Sequence, residues 1–479
     1  MTRGLRERSL RNPTGWPDHS EAHLEQLLKD VASRATRYLE QVTQRRVFPA
    51  PAALKDLEDF SIALQEEPLA AASVLAELDT LGSPATVAST GGRYFGFVTG
   101  GALPAALAAN MLAGAWDQSA GLELGSPVNA RLERVCRDWL VELLGLPAQT
   151  EVGFVTGATM ANFTGLAAAR HAVLRAHGWD VEAQGLFGAP PITIVVGQEV
   201  HVSLLKGLSM LGLGRERVVR VPADGQGRMI ATQLPSVEGP TIVCMQAGNV
   251  NTGAFDPIGE VAARLRETGA WIHVDGAFGL WAAAAPAKRA LAAGIDLADS
   301  IATDAHKWLN VPYDSGLVFV RDPRALNAAM SASAAYLIEG ETRDPHLFVP
   351  EMSRRARAVE VWAALRSLGR RGLAKMIERN CGHAEQFASE LRKAGYQVLN
   401  DVVLNQVLVA FGTPERTRRV IAAIQQDGTC WCGGTSWQGN IAMRISVSSW
   451  ATSDADIAQS IEAILRCAGE VQRAETEWA

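Results

Sequence analysis

Apolar residues recur along this chain at two spacings, and the change from one to the other divides it. Between residues 20 and 80, Leu24, Leu27, Leu28 and Val31 fall at helical spacing, with Pro49, Pro51 and Pro68 as breaks. A helical segment is expected there, and its apolar face must bury against the body of the protein or a second subunit. From about residue 150, short apolar runs alternate with helical patterns. Runs at 152–155, 192–196, 218–221, 241–245, 271–274, 300–302 and 316–320 read as buried strands. Stretches at 159–177, 202–211 and 257–268 between them read as helices. Such alternation predicts an α/β fold on a mostly parallel central sheet covered on both faces. Ligands of such sheets sit beyond the carboxyl ends of the strands. After about residue 370, helices at 372–394, 414–426 and 453–467 alternate with strands at 407–411 and 441–447, which predicts a small α/β domain. The expected division is a helical N-terminal segment over 1–85, a large domain over 86–370 and a small C-terminal domain over 371–479.

Composition narrows the class. The 479 residues are 48% hydrophobic and 20% charged, so a sizeable core is available. The formal charge of −6 carries no basic excess that would suggest nucleic acid or an anionic membrane as partner. The longest apolar stretch, 278–287, is far short of the ~20 residues of a membrane span. The N-terminus is largely polar through Asp30, with no apolar stretch of the kind a secretory leader carries. Six cysteines form no metal or redox spacing, since Cys430 and Cys432 are one residue apart and the others are scattered. Free thiols in a soluble cytoplasmic protein are expected.

Four segments carry chemistry. The first is Ala302-Thr303-Asp304-Ala305-His306-Lys307-Trp308, after one expected strand and before another. A lysine at a strand end, flanked by His306 and Trp308, fits an amine that forms a Schiff base with an aldehyde. The chain has seven lysines among its 45 Lys and Arg. Lys29, Lys55, Lys288, Lys375 and Lys393 lie in polar helical text and read as surface, which leaves Lys206, inside a helix, as the rival to Lys307. The second segment, His273-Val274-Asp275-Gly276-Ala277, ends a strand 32 residues before Lys307. A buried acid at a strand end needs a partner. The protonated pyridine nitrogen of pyridoxal 5′-phosphate is one, while an N-cap or structural aspartate is the plainer alternative. The third is the strand-to-helix turn Val155-Thr156-Gly157-Ala158-Thr159-Met160-Ala161-Asn162. Its small residues and helix start suit a phosphate, and no G-x-G-x-x-G is present there to suggest a dinucleotide. The fourth is His201, placed to stack on a cofactor ring or to serve a purely structural role.

In matching order over residues 85–450, these segments resemble the group II pyridoxal-phosphate-dependent amino-acid decarboxylases, which include the aromatic-L-amino-acid decarboxylases. Arg93-Tyr94-Phe95-Gly96-Phe97, and Gly125-Ser126-Pro127 with Glu133, belong to the same resemblance. It implies PLP-dependent transferase fold type I and a homodimer with active sites at the subunit interface. It also implies roles: Lys307 as Schiff-base lysine, Asp275 as pyridinium partner, His201 stacked on the ring, and Ala277 packed against it. Gly157, Ala158, Thr159 and His306 would surround the phosphate, and Tyr94, Phe95 and Trp116 would line the substrate pocket. Three positions depart from the family. Asp304 stands where many relatives have asparagine, so it is expected to pair with an arginine or to orient His306. Asn249 replaces a hydroxyl residue and keeps an amide donor for the cofactor. Residues 338–353 lack the loop tyrosine that protonates Cα in relatives, and hold His346 and Phe348 instead.

Decarboxylation of an L-amino acid, with an aromatic side chain favoured, is therefore the expected activity. An aldehyde synthase or a carbon–carbon lyase is the alternative within the same cofactor class, and a non-catalytic cofactor-binding protein is the alternative outside it. His346, in the polar stretch Arg343-Asp344-Pro345-His346, is expected in a lid-like turn, either as an exposed histidine with no role or as a group that partly replaces the tyrosine. Arg444 is expected to be structural or dimer-stabilising, because a clamp on the α-carboxylate would work against its loss as CO₂.

Overall fold

The computed structural model describes residues 21–331 and 343–476. It opens with α1 (Glu21–Gln41), α2 (Pro51–Asp56) and α3 (Ala71–Ala85). Pro51 starts α2, at a position whose N–H has no intrahelical partner in any case. Arg34 of α1 pairs with Asp79 of α3 at 2.9 Å. The apolar stripe is only partly covered within the chain, for Leu24, Leu28 and Leu78 remain exposed. Two helices that the apolar spacing did not reveal follow, α4 (Pro104–Trp116) and α5 (Pro127–Leu144).

The central unit then runs in chain order through β1 (Glu151–Val155), α6 (Ala158–Arg175), short α7 (Val181–Gln184) and β2 (Thr193–Gly197). It continues with α8 (Val202–Met210), β3 (Val218–Val221), β4 (Thr241–Gln246) and α9 (Ile258–Leu265). It closes with β5 (Trp271–Asp275), β6 (Ser300–Asp304), β7 (Gly316–Val320) and α10 (Pro323–Met330). The seven strands lie in the order β1-β7-β6-β5-β4-β2-β3. β7 is antiparallel to both its neighbours, and the other pairs are parallel. This is the mostly parallel α/β sheet of fold type I. Successive strand residues feed opposite faces. Val243, Met245 and Ile301 pack in the core beneath α5, while Ile242, Cys244 and Ala302 pack under α6, α8 and α10.

α11 (Ala358–Lys393) is interrupted at Gly369, whose φ of 59° lies in the left-handed region. Beyond it come β8 (Gln397–Val398), β9 (Gln406–Ala410), α12 (Pro414–Asp427), β10 (Gly433–Trp437), β11 (Asn440–Ser446) and α13 (Asp454–Thr476). The strands form an antiparallel sheet in the order β10-β11-β9-β8 with its own core. Gln438 and Gly439, at φ of 46° and 82°, make the tight hairpin between β10 and β11. β8 and β10 were not expected, for they are edge strands of mixed polarity with no continuous apolar run. All six cysteines are free and buried. Among the described residues no helix is long and apolar enough to cross a membrane.

Candidate active site

β5 and β6 are neighbours in the middle of the sheet, and their carboxyl ends bring Asp275 and the Asp304–Lys307 segment together. Trp281 donates from Nε1 to the Asp304 carbonyl at 3.0 Å, and the Thr303 hydroxyl donates to the Gly276 carbonyl at 2.8 Å. The backbone N–H groups of Ala305 and His306 both donate to the Ser315 carbonyl. The turn bearing Lys307 is thus tied to both flanking strands. A second tie reaches further. Asn310 Oδ1 accepts from Gly101 N at 2.7 Å and Trp450 N at 2.9 Å. Its Nδ2 donates to the carbonyls of Trp308 at 2.9 Å and Ser448 at 3.0 Å. Gly100 lies against the Lys307 carbonyl so closely that a Cβ there would come within 1.9 Å of that oxygen.

The Lys307 side chain is 18% exposed, and its Nζ meets Asp304 Oδ2 at 3.1 Å. Asp304 is the hub of the site: its Oδ1 accepts the N–H of Ala158 and lies 3.4 Å from His306 Nε2. Of the two expected roles, Asp304 takes the place beside His306, with Lys307 and the start of α6 as further partners and no arginine among the described residues. The rival Lys206 lies exposed on α8. His306 stacks on Tyr313 with ring centroids 4.2 Å apart. Burial pushes its pKa down, with Asp304 pulling the other way.

Asp275 is buried, and both its oxygens already accept hydrogen bonds. Asn162 Nδ2 donates to Oδ2 at 3.0 Å, and Ala277 N donates to Oδ1 at 3.1 Å. His201 caps α8: its Nδ1 accepts from Ser203 N at 3.3 Å and lies 2.7 Å from the Ser203 hydroxyl. Its ring is also within electrostatic range of Asp275, Lys307, Arg444 and Asp304. Burial lowers its pKa, Asp275 opposes that, and Lys307 and Arg444 add to it, so the ring is neutral near pH 7. Capping and a place in the site are both seen for His201.

The turn Gly157-Ala158-Thr159 forms the remaining wall. A Cβ on Gly157 would meet His306 Cε1 at 3.1 Å and Asp304 Oδ1 at 3.2 Å, so only glycine leaves the space open. The first turn of α6 leaves N–H groups without intrahelical partners at the positive end of its dipole.

Other expected site residues are placed differently. Tyr94 stacks on Trp431 at 5.2 Å beside Arg444, and burial pushes its phenol up to about 12. Phe95 is 1% exposed and packs edge-on against Phe387 in the core of the small sheet, so it lines no pocket. Trp116, at the end of α4, is 43% exposed, and no contact joins it to Lys307 among the described residues. Phe97 is exposed and lies 5.5 Å from Trp431. Asn249 uses its Oδ1 in a turn, accepting from Asn251 N and Thr252 N, while its Nδ2 is buried without a hydrogen-bond partner among the described residues and remains a free donor. His346 is not in an exposed turn. It is 5% exposed, and its Nδ1 and backbone N both meet the Gly121 carbonyl, at 3.2 and 2.9 Å. Phe348 is buried too and carries the Arg343 guanidinium over its ring at 4.2 Å. Arg444 donates to the Val250 carbonyl at 3.3 Å and has no acidic partner among the described residues. The part of the 338–353 segment up to Thr342 lies outside the described residues, as does Tyr336 just before it.

These residues fit pyridoxal phosphate. A strand-end amine, a buried carboxylate and a glycine at a helix start lie at the carboxyl ends of neighbouring strands, and His306 Nδ1 is buried beside Gly157 without a hydrogen-bond partner among the described residues. Lys307 would hold the aldehyde carbon, Asp275 the ring nitrogen, and Gly157, Ala158, Thr159 and His306 the phosphate.

Comparison with known proteins agrees. An aromatic-L-amino-acid decarboxylase of Bacillus atrophaeus is 30% identical over 299 residues, 60% of this chain and 58% of that protein. The acidic amino acid decarboxylase GADL1 of Mus musculus is 30% identical over 325 residues, 64% of this chain and 58% of that protein. The matches thus span 58% of the length of each relative. The crystal structure of an Oryza sativa TDC with PLP and tryptamine shares the fold at a TM-score of 0.85 and 21% identity, covering 95% of this chain and 99% of that one. The pyridoxal-dependent decarboxylase conserved domain matches residues 51–412, which is most of the sequence and includes Lys307, Asp275 and His201. By that match, the chain belongs to the pyridoxal-dependent decarboxylase family.

Proposed function

We propose that this chain is a carboxy-lyase that removes the α-carboxylate of an L-amino acid as CO₂ and returns the amine. The observation that carries this reading is the pairing of Lys307 and Asp275 at the ends of adjacent strands, with Asp275 held by two donors. Bound here, pyridoxal phosphate supplies an aldehyde for amines and a protonated ring that draws electrons from Cα. Asp275 keeps a proton on the ring nitrogen. Its donors, Asn162 and the Ala277 N–H, hold one acceptor oxygen each. Asp304 offers the Lys307 ammonium a partner at 3.1 Å whenever that amine is not committed elsewhere. His201, neutral, would add no charge beside the bound ring. The rigid turn around Lys307 holds its amine at one approach, which limits the motion lost on reaching the transition state.

For the substrate side chain, an aromatic group is proposed, supported by the stacked Tyr94–Trp431 pair and by Phe97 beside it. Arg444 supports a second reading. An unpaired guanidinium beside Tyr94 and His201 suits a carboxylate on the side chain, where gripping it would not oppose loss of the α-carboxylate. The two relatives above are named for these two side-chain classes. Turnover on a panel of aromatic and acidic L-amino acids, with CO₂, amine, aldehyde and peroxide measured together, tests both readings. Aldehyde and peroxide in place of amine would convert the assignment to oxidative deamination.

A homodimer is part of the proposal. Leu24 and Leu28 on α1 and Leu112 and Trp116 on α4 are exposed apolar side chains that a second copy would cover. So are a cytoplasmic location and the division at residues 85 and 370.

A further inference from the structure

We infer that His273 and Asn162 are positioning residues for Asp275, the working ends of a one-way hydrogen-bond chain that holds Asp275 Oδ2 as an acceptor. The inference rests on the proposed role of Asp275 at the ring nitrogen of the cofactor.

The chain has four links. Trp271 Nε1 lies 2.8 Å from Ser300 Oγ, Ser300 Oγ lies 2.8 Å from His273 Nδ1, and His273 Nε2 lies 2.9 Å from Asn162 Oδ1. Asn162 Nδ2 then lies 3.0 Å from Asp275 Oδ2. Chemistry fixes the direction at both ends. An indole N–H only donates, so Ser300 accepts from Trp271. At the far end a carboxylate only accepts, so Asn162 must turn its NH₂ toward Asp275 and its oxygen toward His273. His273 Nε2 must therefore carry the proton, Nδ1 must accept, and the Ser300 hydroxyl must donate to it. Reversing any one link sets two donors or two lone pairs face to face.

Three further observations support a built device. Every member is buried, so water cannot substitute for a missing donor. Burial holds the His273 pKa down to about 3, so the ring stays neutral and keeps the single tautomer that the chain needs. Helix α6 passes the ring at Gly165, where a Cβ would come within 3.0 Å of His273 Cε1, and this close approach brings Asn162, one turn earlier, into line with both partners. Cys244, the register partner of His273 on β4, stays a thiol because burial pushes its pKa up.

A network serving only packing predicts the same contacts, so the test must separate the two. The full-length, cofactor-loaded protein is compared with His273→Leu, which fills the space without a donor, and His273→Gln, which keeps a donor toward Asn162. Cofactor affinity, thermal midpoint, KM and kcat are measured for each. His273→Leu is expected to keep cofactor affinity and KM within about threefold while kcat falls about tenfold or more, and His273→Gln is expected to regain most of that kcat. Equal kcat in the two variants, or a kcat loss that simply follows the thermal midpoint in both, overturns the inference. If His273→Leu does not fold, Ser300→Ala takes its place, since it removes the donor that fixes the tautomer. An unchanged kcat in Ser300→Ala then overturns the inference. Failure of the reading beneath it is seen separately: wild-type protein that takes up no pyridoxal phosphate at Lys307 removes the ring nitrogen, and the inference falls with it.

Discussion

Replacing Asp275 by Asn tests the centre of the site with one atom changed. The carboxylate accepts from Asn162 at 3.0 Å and from Ala277 N at 3.1 Å, on different oxygens. An amide in its place must point its NH₂ at one of these two donors. One buried hydrogen bond is lost and two donors face each other, which costs about 1–3 kcal/mol of stability. The catalytic effect is larger, because the charge opposite the ring nitrogen is gone in a dry site. A loss of roughly 3–5 kcal/mol of transition-state stabilisation corresponds to about 10²–10⁴ in kcat. The cofactor should still bind, since Lys307 and the phosphate wall are untouched. Cofactor content by absorbance, kcat by CO₂ release and the thermal midpoint together make the measurement. A fully loaded Asp275→Asn protein that turns over within about threefold of wild type would refute the reasoning.

Three other outcomes are expected. Borohydride reduction of the loaded protein followed by peptide mapping should place the pyridoxyl label on Lys307, and Lys307→Ala should take up none; label on Lys206 would sink the assignment. Gly100→Ala puts a methyl group 1.9 Å from the Lys307 carbonyl, so the two segments must separate. It should lower stability by about 1–3 kcal/mol or more and disturb cofactor attachment, read from the denaturation midpoint and the absorbance band. Folded His273 takes its proton only at about 3, against an ordinary value of 6.5, so acidification between these values favours the unfolded chain. Asp256, raised by burial to about 6 from 3.8, works in the opposite sense at pH 4–6 because the folded state binds its proton first. The difference between wild type and His273→Gln isolates the histidine. Wild type should lose stability relative to the variant by up to about 1.4 kcal/mol per pH unit below 6.5, followed by urea denaturation, and a difference independent of pH would refute it.

The strands of the large sheet were legible because each is a short, nearly continuous apolar run, and burial on both faces of a parallel sheet demands that pattern. Lys307 and Asp275 were legible because a charge at the end of such a run is chemically expensive and needs a reason. α4 and α5 left a weaker trace, although Pro104, Pro127 and Gly145 stand at their ends in the positions helix termini favour. The roles of Asn162, His273 and Asn310 were hidden. Each acts through contacts more than 100 residues distant in the chain, and polar residues in apolar text carry no mark of their partners. Phe95 shows the opposite error. Alternate residues of an extended segment face opposite ways, so Tyr94 stacks on Trp431 while its neighbour enters the core. His346 misled because a Pro-containing, charge-rich sequence resembles a surface turn, yet Arg343 is drawn inward by Glu133 and Glu151, at 3.2 and 2.7 Å, and carries the turn with it.

Asn310 makes the two lobes a single mechanical part. One side chain, itself fully buried, joins the 100–103 stretch, the backbone behind the reactive lysine and the Ser448–Trp450 stretch that leads into α13. A swing of the C-terminal lobe would have to break its bonds to Trp450 N and the Ser448 carbonyl in a place water does not reach. Those buried bonds oppose a hinge motion of that lobe. The clasp sets an order of disassembly instead: the Gly101 and Trp450 amides should exchange with solvent only when the lobes part, at the free energy of global unfolding.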